Sequence, residues 1–172
     1  MSGAAPTQAR RYLVVANQTL GGGRLLDRIH ELAAAGPCHF YVLVPATPID
    51  QYRWPPPLAV PTTAGGGILA EPPISEAAQD RVAWARAQAR LGEELARLRQ
   101  AGVEADGEVG DPDPLRAIRD VLARRQFDEI LLATLPPGVS RWLRMDLPHR
   151  VRRSVEVPVT HVVSEARPED LS

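Results

Sequence analysis

The chain has 172 residues, a formal net charge of -1 and 44% hydrophobic residues, a composition typical of a single globular domain. All 20 basic residues are arginine, which excludes Schiff-base chemistry, a lysine general base and a complete Walker A phosphate loop. The sequence pI of about 6.4 gives no overall attraction to nucleic acid, so nucleic acid is not an expected partner.

The cysteine content and the lengths of the apolar runs indicate the cellular compartment of the protein. Cys38 is the single cysteine, so neither an internal disulfide nor a cysteine-based zinc site can form. Residues 1–10 contain no apolar core segment, and no run approaches 18 apolar residues. We therefore expect a cytoplasmic protein that is neither secreted nor inserted in a membrane.

The first half of the chain predicts two buried strands around one helix. Residues 1–10 are predicted to be a disordered lead-in. The apolar run 12–16 predicts a strand covered on both faces, and the glycine-rich segment 17–23 predicts the turn after it. Apolar residues then recur at helical spacing over 25–33, and 38–45 is predicted as the second strand.

Residues 46–75 interrupt this pattern, because several prolines and the glycine run 65–67 prevent any long regular element. An irregular segment of this length is uncommon inside a compact domain. It predicts an insertion or arm.

The second half continues the alternation of helices and strands. Ser75 is a candidate N-cap for a helix over 76–100, with Gly102 beyond its end, and Asp113 and Pro114 open another helix. The remaining predicted elements are an edge strand at 103–109, a strand at 128–133, a short helix at 147–155, a last strand at 157–163 and a disordered tail at 165–172. This order predicts an α/β fold: a single-domain, doubly wound, five-stranded parallel sheet over residues 11–164.

The segment from Thr134 to Arg153 gathers positive charge after the fourth strand. It contains five arginines and a histidine against one acid: Arg141, Arg144, Arg150, Arg152, Arg153, His149 and Asp146. Open α/β sheets bind anionic ligands at the carboxyl ends of their strands. The segment therefore suggests a site for a nucleotide or another phosphorylated ligand.

The candidate ligand-binding residues lie on two loops that such a sheet brings face to face, with one residue on the second strand. They are Asn17, Gln18, Val44, Thr134, Gly138, Ser140, Arg141, Arg144, His149 and Arg150. Trp142 offers an aromatic face for stacking, although Trp142 and Leu143 equally fit packing of the loop onto the core. His149 fits either a neutral ligand-binding imidazole or a surface side chain.

The carboxylate of Asp146 is unfavourable for a simple phosphate site, because it would repel a bound anion. Standing before Leu147-Pro148, it is predicted to cap the next helix with its carboxylate, in the place that an external anion would take. No residue pattern indicates a metal site, a nucleophile or a general base, so no reaction type is expected.

Several segments resemble the universal stress protein family. Gly110-Asp-Pro112 followed by a helix, Phe127-Asp-Glu-Ile-Leu-Leu132, and Val151 to Val159 are similar to the family's "G-x-P", strand and closing "P-V" segments. The resemblance implies a Rossmann-like sheet of the adenine nucleotide alpha hydrolase-like kind with strand order 3-2-1-4-5. It also implies a role in stress response and a homodimer paired along the last strand, 157–163.

The same resemblance makes ATP, ADP and AMP candidate ligands, but the motif that holds them is altered. ATP-binding members carry an Asp at the end of strand one, where this chain has Asn17. They also carry a G-x2-G-x9-G-[S/T] loop after strand four, where this chain has Thr134-Leu-Pro-Pro-Gly138, and the closing Gly-Ser pair falls near Met145-Asp146. Two hypotheses follow: a regulatory protein with an arginine-based site for a phosphorylated ligand, or a ligand-free homodimeric interaction module that has lost ATP binding.

Overall fold

A computed structural model describes residues 8–47 and 75–166. The predicted arm at 46–75 falls almost wholly outside the described residues, as do most of the predicted lead-in at 1–10 and of the predicted tail at 165–172. No helix within the described ranges is both long and apolar enough to cross a membrane.

Within the described residues, five strands and five helices follow one another, alternating except where two helices precede the last strand. In order they are β1 (Arg10–Val15), α1 (Gly23–Ala35), β2 (Cys38–Pro45), α2 (Glu76–Gln100), β3 (Ala105–Gly110), α3 (Pro114–Arg124), β4 (Glu129–Thr134), α4 (Arg141–Arg144), α5 (Leu147–Ser154) and β5 (Val159–Val163). The strands form one parallel sheet in the order β3-β2-β1-β4-β5. The predicted fold class and strand order are confirmed.

Each face of the sheet carries its own apolar core. Helices α1 and α2 cover one face through buried residues such as Leu25, Ile29, Leu91 and Leu98. Helices α3, α4 and α5 cover the other face with Leu115, Ile118, Val121, Trp142, Leu147 and Val151. The three central strands are therefore buried on both sides, which explains their continuous apolar runs.

Local sequence signals set the ends of the long helix. The Ser75 side chain accepts a hydrogen bond from the Ala78 N–H at 3.3 Å, and Gly102 adopts a positive φ of 78° just past the last turn. The Val103 N–H then bonds the Leu98 carbonyl at 2.9 Å, the closing bond of a Schellman motif. The predicted bounds of α2, 76–100, are confirmed.

Strand β1 begins earlier than the sequence predicts, within the supposed disordered lead-in. Arg10 and Arg11 pair with Cys38 and His39 of β2, and the Arg10 N–H bonds the Pro37 carbonyl at 3.1 Å. The Arg10 guanidinium also lies 5.4 Å from the ring centre of Tyr12. Backbone pairing with β2, which the polar sequence 8–11 does not reveal, therefore sets where the strand starts.

The prediction that the Asp146 carboxylate caps α5 is wrong. Asp146 occupies the N-cap position, but its φ of 53° is left-handed and its side chain makes no capping hydrogen bond. A capping side chain requires an extended backbone that aims it at the helix N–H groups. Asp113, which has that backbone, does cap α3 by accepting from the Leu115 N–H at 2.9 Å.

Because only one of the two aspartates caps a helix, substituting them should affect stability differently. Asp113→Ala should lower the free energy of unfolding by about 1 kcal/mol, because two helix N–H groups lose their acceptor. Asp146→Gly should cause no loss, because glycine tolerates a positive φ and no cap is removed. Urea denaturation of both variants measures the two effects. An Asp146→Gly loss equal to that of Asp113→Ala would contradict the account.

Candidate functional site

The predicted crevice lies between the carboxyl ends of β1 and β4, where the strand order reverses. In a doubly wound sheet this is the position at which ligands bind. It is lined by residues of the β1–α1 turn, the end of β4 and the loop that follows: Asn17, Gln18, Thr19, Ala133, Thr134, Leu135, Ser140 and Trp142. The structure therefore brings four predicted site residues together, namely Asn17, Gln18, Thr134 and Ser140.

The crevice is filled by these side chains. As defined by the described residues, its cavity has a volume of about 10 Å³. That is at the lower limit for one water molecule, whereas ligand pockets measure about 300–1,000 Å³. A cavity of this volume does not hold a nucleotide.

Asn17 is held in place at both ends of its amide. Its Nδ2 group donates to the Pro45 carbonyl at 2.7 Å, and its Oδ1 accepts from Arg90 Nη1 at 2.7 Å. The residue is only 3% exposed. Because the amide is already engaged, a ligand would have to displace Pro45 or Arg90 in order to bind it.

Sequence reasoning missed Arg90, which lies 73 residues from Asn17 along the chain. The sequence does hold one signal for Arg90: it directly precedes Leu91, a member of the buried stripe of α2. A side chain next to such a stripe lies at the border between the core and the surface. Glu94 was missed too, although it lies within that stripe with its side chain 1% exposed and 3.9 Å from Arg97.

Trp142 packs into the core. It is 4% exposed and belongs to the apolar cluster that contains Leu147 and Val151. Ser140 caps the short helix α4 by accepting from the Leu143 N–H at 3.2 Å. The structure thus agrees with the packing alternative for Trp142, which also lines the crevice together with Thr134.

Thr134 is buried and bonded to the edge strand. Its Oγ1 lies 2.7 Å from Nε2 of His161 in β5. Thr19 closes the same wall, since its hydroxyl donates to the Ala133 carbonyl at 3.2 Å. Both hydroxyls therefore bond the protein itself.

The remaining predicted residues lie away from the crevice. Val44 is fully buried in β2, while Gly138, Arg144, His149 and Arg150 are exposed. Arg141 is half-buried and its Nε lies 3.4 Å from the Met145 sulfur. The arginines thus form an outer surface of the loop, α4 and α5 and do not line a pocket with Asn17.

Within the described ranges, no group of three His, Cys, Asp or Glu side chains could hold a metal ion. The chemistry available at the crevice is therefore hydrogen bonding by buried amide and hydroxyl groups. Cationic groups are confined to its border at Arg90 and to the outer loop.

Comparison with known proteins agrees with the class of fold that the sheet topology defines, a doubly wound α/β domain. A universal stress protein from Archaeoglobus fulgidus superposes with a TM-score of 0.51 at 15% identity, covering 89% of this chain and 93% of that one. A universal stress protein in complex with cAMP gives a TM-score of 0.49 at 18% identity, covering 91% and 98%. No family model matches the sequence, and no curated protein does. The chain has the fold of the universal stress proteins.

A buried glycine fixes the turn that forms one wall of the crevice. A Cβ atom on Gly22 would lie 2.4 Å from both the Glu165 carbonyl oxygen and the Ser164 hydroxyl. The adjacent Gly23 has no atom within 4 Å of the same position. The turn can therefore lie against the segment after β5 only if residue 22 lacks a side chain.

We predict that Gly22→Ala lowers the free energy of unfolding by about 1–3 kcal/mol, because the backbone of Glu165 must move. Gly23→Ala is the matched control at the start of α1, and it should leave stability unchanged or raise it by up to about 1 kcal/mol. Chemical denaturation compares the two. Equal effects would contradict the close packing of Gly22.

The pH dependence of stability should report the burial of His161. Desolvation by burial, aided by the charge of Arg152, lowers the pKa of His161 from its ordinary value of 6.5. The unfolded chain therefore binds a proton first as the pH falls. This contribution to stability is present above pH 6.5 and is lost as the pH falls toward the folded pKa.

His161→Gln should flatten the fall in unfolding free energy below pH 6.5, because glutamine does not titrate. His149→Gln, at an exposed position of α5, is the matched control for replacing a histidine by glutamine. Denaturation curves measured between neutral and acidic pH provide the comparison. A wild-type slope in His161→Gln would show that another group causes the dependence.

Proposed function

We propose that the chain is a non-enzymatic regulatory protein of the universal stress protein type that works through protein contacts, with its nucleotide crevice closed. The observation that carries this proposal is the filled space between β1 and β4, where about 10 Å³ remains. The altered phosphate loop supports it, because Thr134-Leu-Pro-Pro-Gly138 lacks the family's glycine pattern. A role in stress response rests on the resemblance to that family.

A closed crevice predicts that nucleotides do not stabilise the protein. ATP, ADP, AMP, cyclic nucleotides and inorganic phosphate should leave the wild-type Tm unchanged in a thermal-shift assay. A ligand at about 100 times its Kd would add roughly 2.7 kcal/mol of stability, which the assay would detect. A nucleotide-specific rise in Tm would contradict the proposal.

A second candidate function is anion binding by the outer surface of the arginine loop. The observation in its favour is that Arg144, His149 and Arg150 are all exposed on α4 and α5, where they are accessible to a phosphorylated ligand. In this case a nucleotide or phosphate would raise the Tm of the wild type, and Arg141→Ala combined with Arg144→Ala would abolish the rise. An unchanged rise in the double variant would exclude this location.

The proposed partner surface is the outer edge of β5, which has no neighbouring strand within the described residues and could pair with the same strand of a second copy. All five of its residues are partly exposed. The Ile130 N–H bonds the Pro158 carbonyl and the Ser164 N–H bonds the Thr134 carbonyl, so residues 158, 160, 162 and 164 face β4. The intervening N–H groups of Val159, His161 and Val163 point outward and are available to a second strand.

Proline at an outward position should block such pairing without disturbing β4. We expect a wild-type dimer that Val163→Pro converts into a folded monomer, because the ring removes an outward N–H group. Val109→Pro makes the same change at an outward position of the other edge strand, β3, and should stay dimeric. Light scattering coupled to size-exclusion chromatography gives the masses. A monomeric wild type would contradict the dimer.

A further inference from the structure

A wide groove lies at the opposite end of the strands from the crevice, where β1, β4 and β5 begin. We call it the basal groove. It is formed by the segment before β1, the α3–β4 connection and the α5–β5 connection, residues 8–11, 119–128 and 154–157. Its volume is about 700 Å³. That is the size of a site for a small organic molecule, and far larger than the filled crevice.

Positive charge dominates the lining of the basal groove. Four arginines, Arg10, Arg11, Arg119 and Arg125, face two carboxylates, Asp128 and Glu156. One oxygen of Asp128 is already bound, because it accepts from the Arg11 backbone N–H at 2.7 Å. The groove therefore favours an anion.

Two of these arginines have a charged or aromatic partner among the described residues, and two do not. Arg10 lies 3.9 Å from Glu129, and the Arg125 guanidinium lies 4.4 Å from the centre of the Tyr41 ring. The side chains of Arg11 and Arg119 form no ion pair with any described residue. Arg119 lies in the middle of α3, so its charge is also too far from the helix C-terminus to interact favourably with the helix dipole.

Apolar side chains supply the rest of the groove wall. Leu122, Phe127, Val155 and Val157 line it, and each is partly buried against the core on the α3–α5 side of the sheet. Half-buried apolar groups beside the guanidinium groups of Arg11 and Arg119 suit a molecule with one charged end and one apolar body. An inorganic ion would use only the arginines.

We propose that the basal groove binds a small organic anion, a phosphate monoester or carboxylate carried on an aromatic or aliphatic body. Arg11 and Arg119 bind the acidic group through charge-assisted hydrogen bonds, and Phe127 and Leu122 pack against the body. This site is independent of the crevice between β1 and β4, and it does not require that crevice to open.

The test is a titration of uniformly 15N-labelled full-length protein with phenyl phosphate, followed by amide chemical shifts. Inorganic phosphate and phenol are titrated separately, so that the affinity for the charged group and the affinity for the apolar ring are each measured alone. The variant is Arg11→Gln combined with Arg119→Gln. Its control is Arg24→Gln combined with Arg116→Gln, which removes the same charge from two side chains that are 69% exposed and lie outside the groove.

We expect shifts at residues 8–11 and 119–128, and phenyl phosphate should bind more tightly than either inorganic phosphate or phenol. The groove variant should weaken binding at least about tenfold, as loss of charge-assisted bonds would, while the control keeps the wild-type affinity. Absence of shifts in these ranges, equal affinity for inorganic phosphate, or equal weakening in the control would each overturn the proposal. Shifts confined to 134–144 would instead assign the anion to the arginine loop.

Discussion

The side-chain amide of Asn17 joins three parts of the fold at the point where a doubly wound sheet normally binds its ligand. It donates to the carbonyl at the end of β2 and accepts from Arg90 of α2. A buried amide that loses a partner costs about 1–3 kcal/mol, so each of these bonds favours the closed arrangement. Helix α2 is thereby fixed against the carboxyl end of β1, and the ligand position is occupied by the protein itself.

Closure at Asn17 is completed from the other side of the crevice, by α4 and β5. Trp142 belongs to the core below α4, and Thr134 bonds His161 instead of facing an open site. The polar and aromatic side chains at this crevice are thus used for internal packing and hydrogen bonding. Among the described residues, the surfaces proposed for binding are peripheral: the arginine loop, the edge of β5 and the basal groove at the far end of the sheet.

The fold was predictable because its signals are local. Prolines, glycines and capping residues mark the ends of β2 and α2, and continuous apolar runs mark strands buried on two faces. The site was less predictable, because its state depends on contacts between distant residues. Asn17 was identified from the sequence, but its partner Arg90 is fixed only by the packing of α2, and the role of Asp146 depends on a backbone angle that its neighbours do not reveal.

If the protein's own side chains close the crevice between β1 and β4, a crystal structure of the full chain grown in saturating ATP should show it. We expect Arg90 bonded to Asn17, Trp142 buried in the core, and no nucleotide density between the two strands. A nucleotide seated there, with Arg90 withdrawn from Asn17 or Trp142 turned outward, would contradict it.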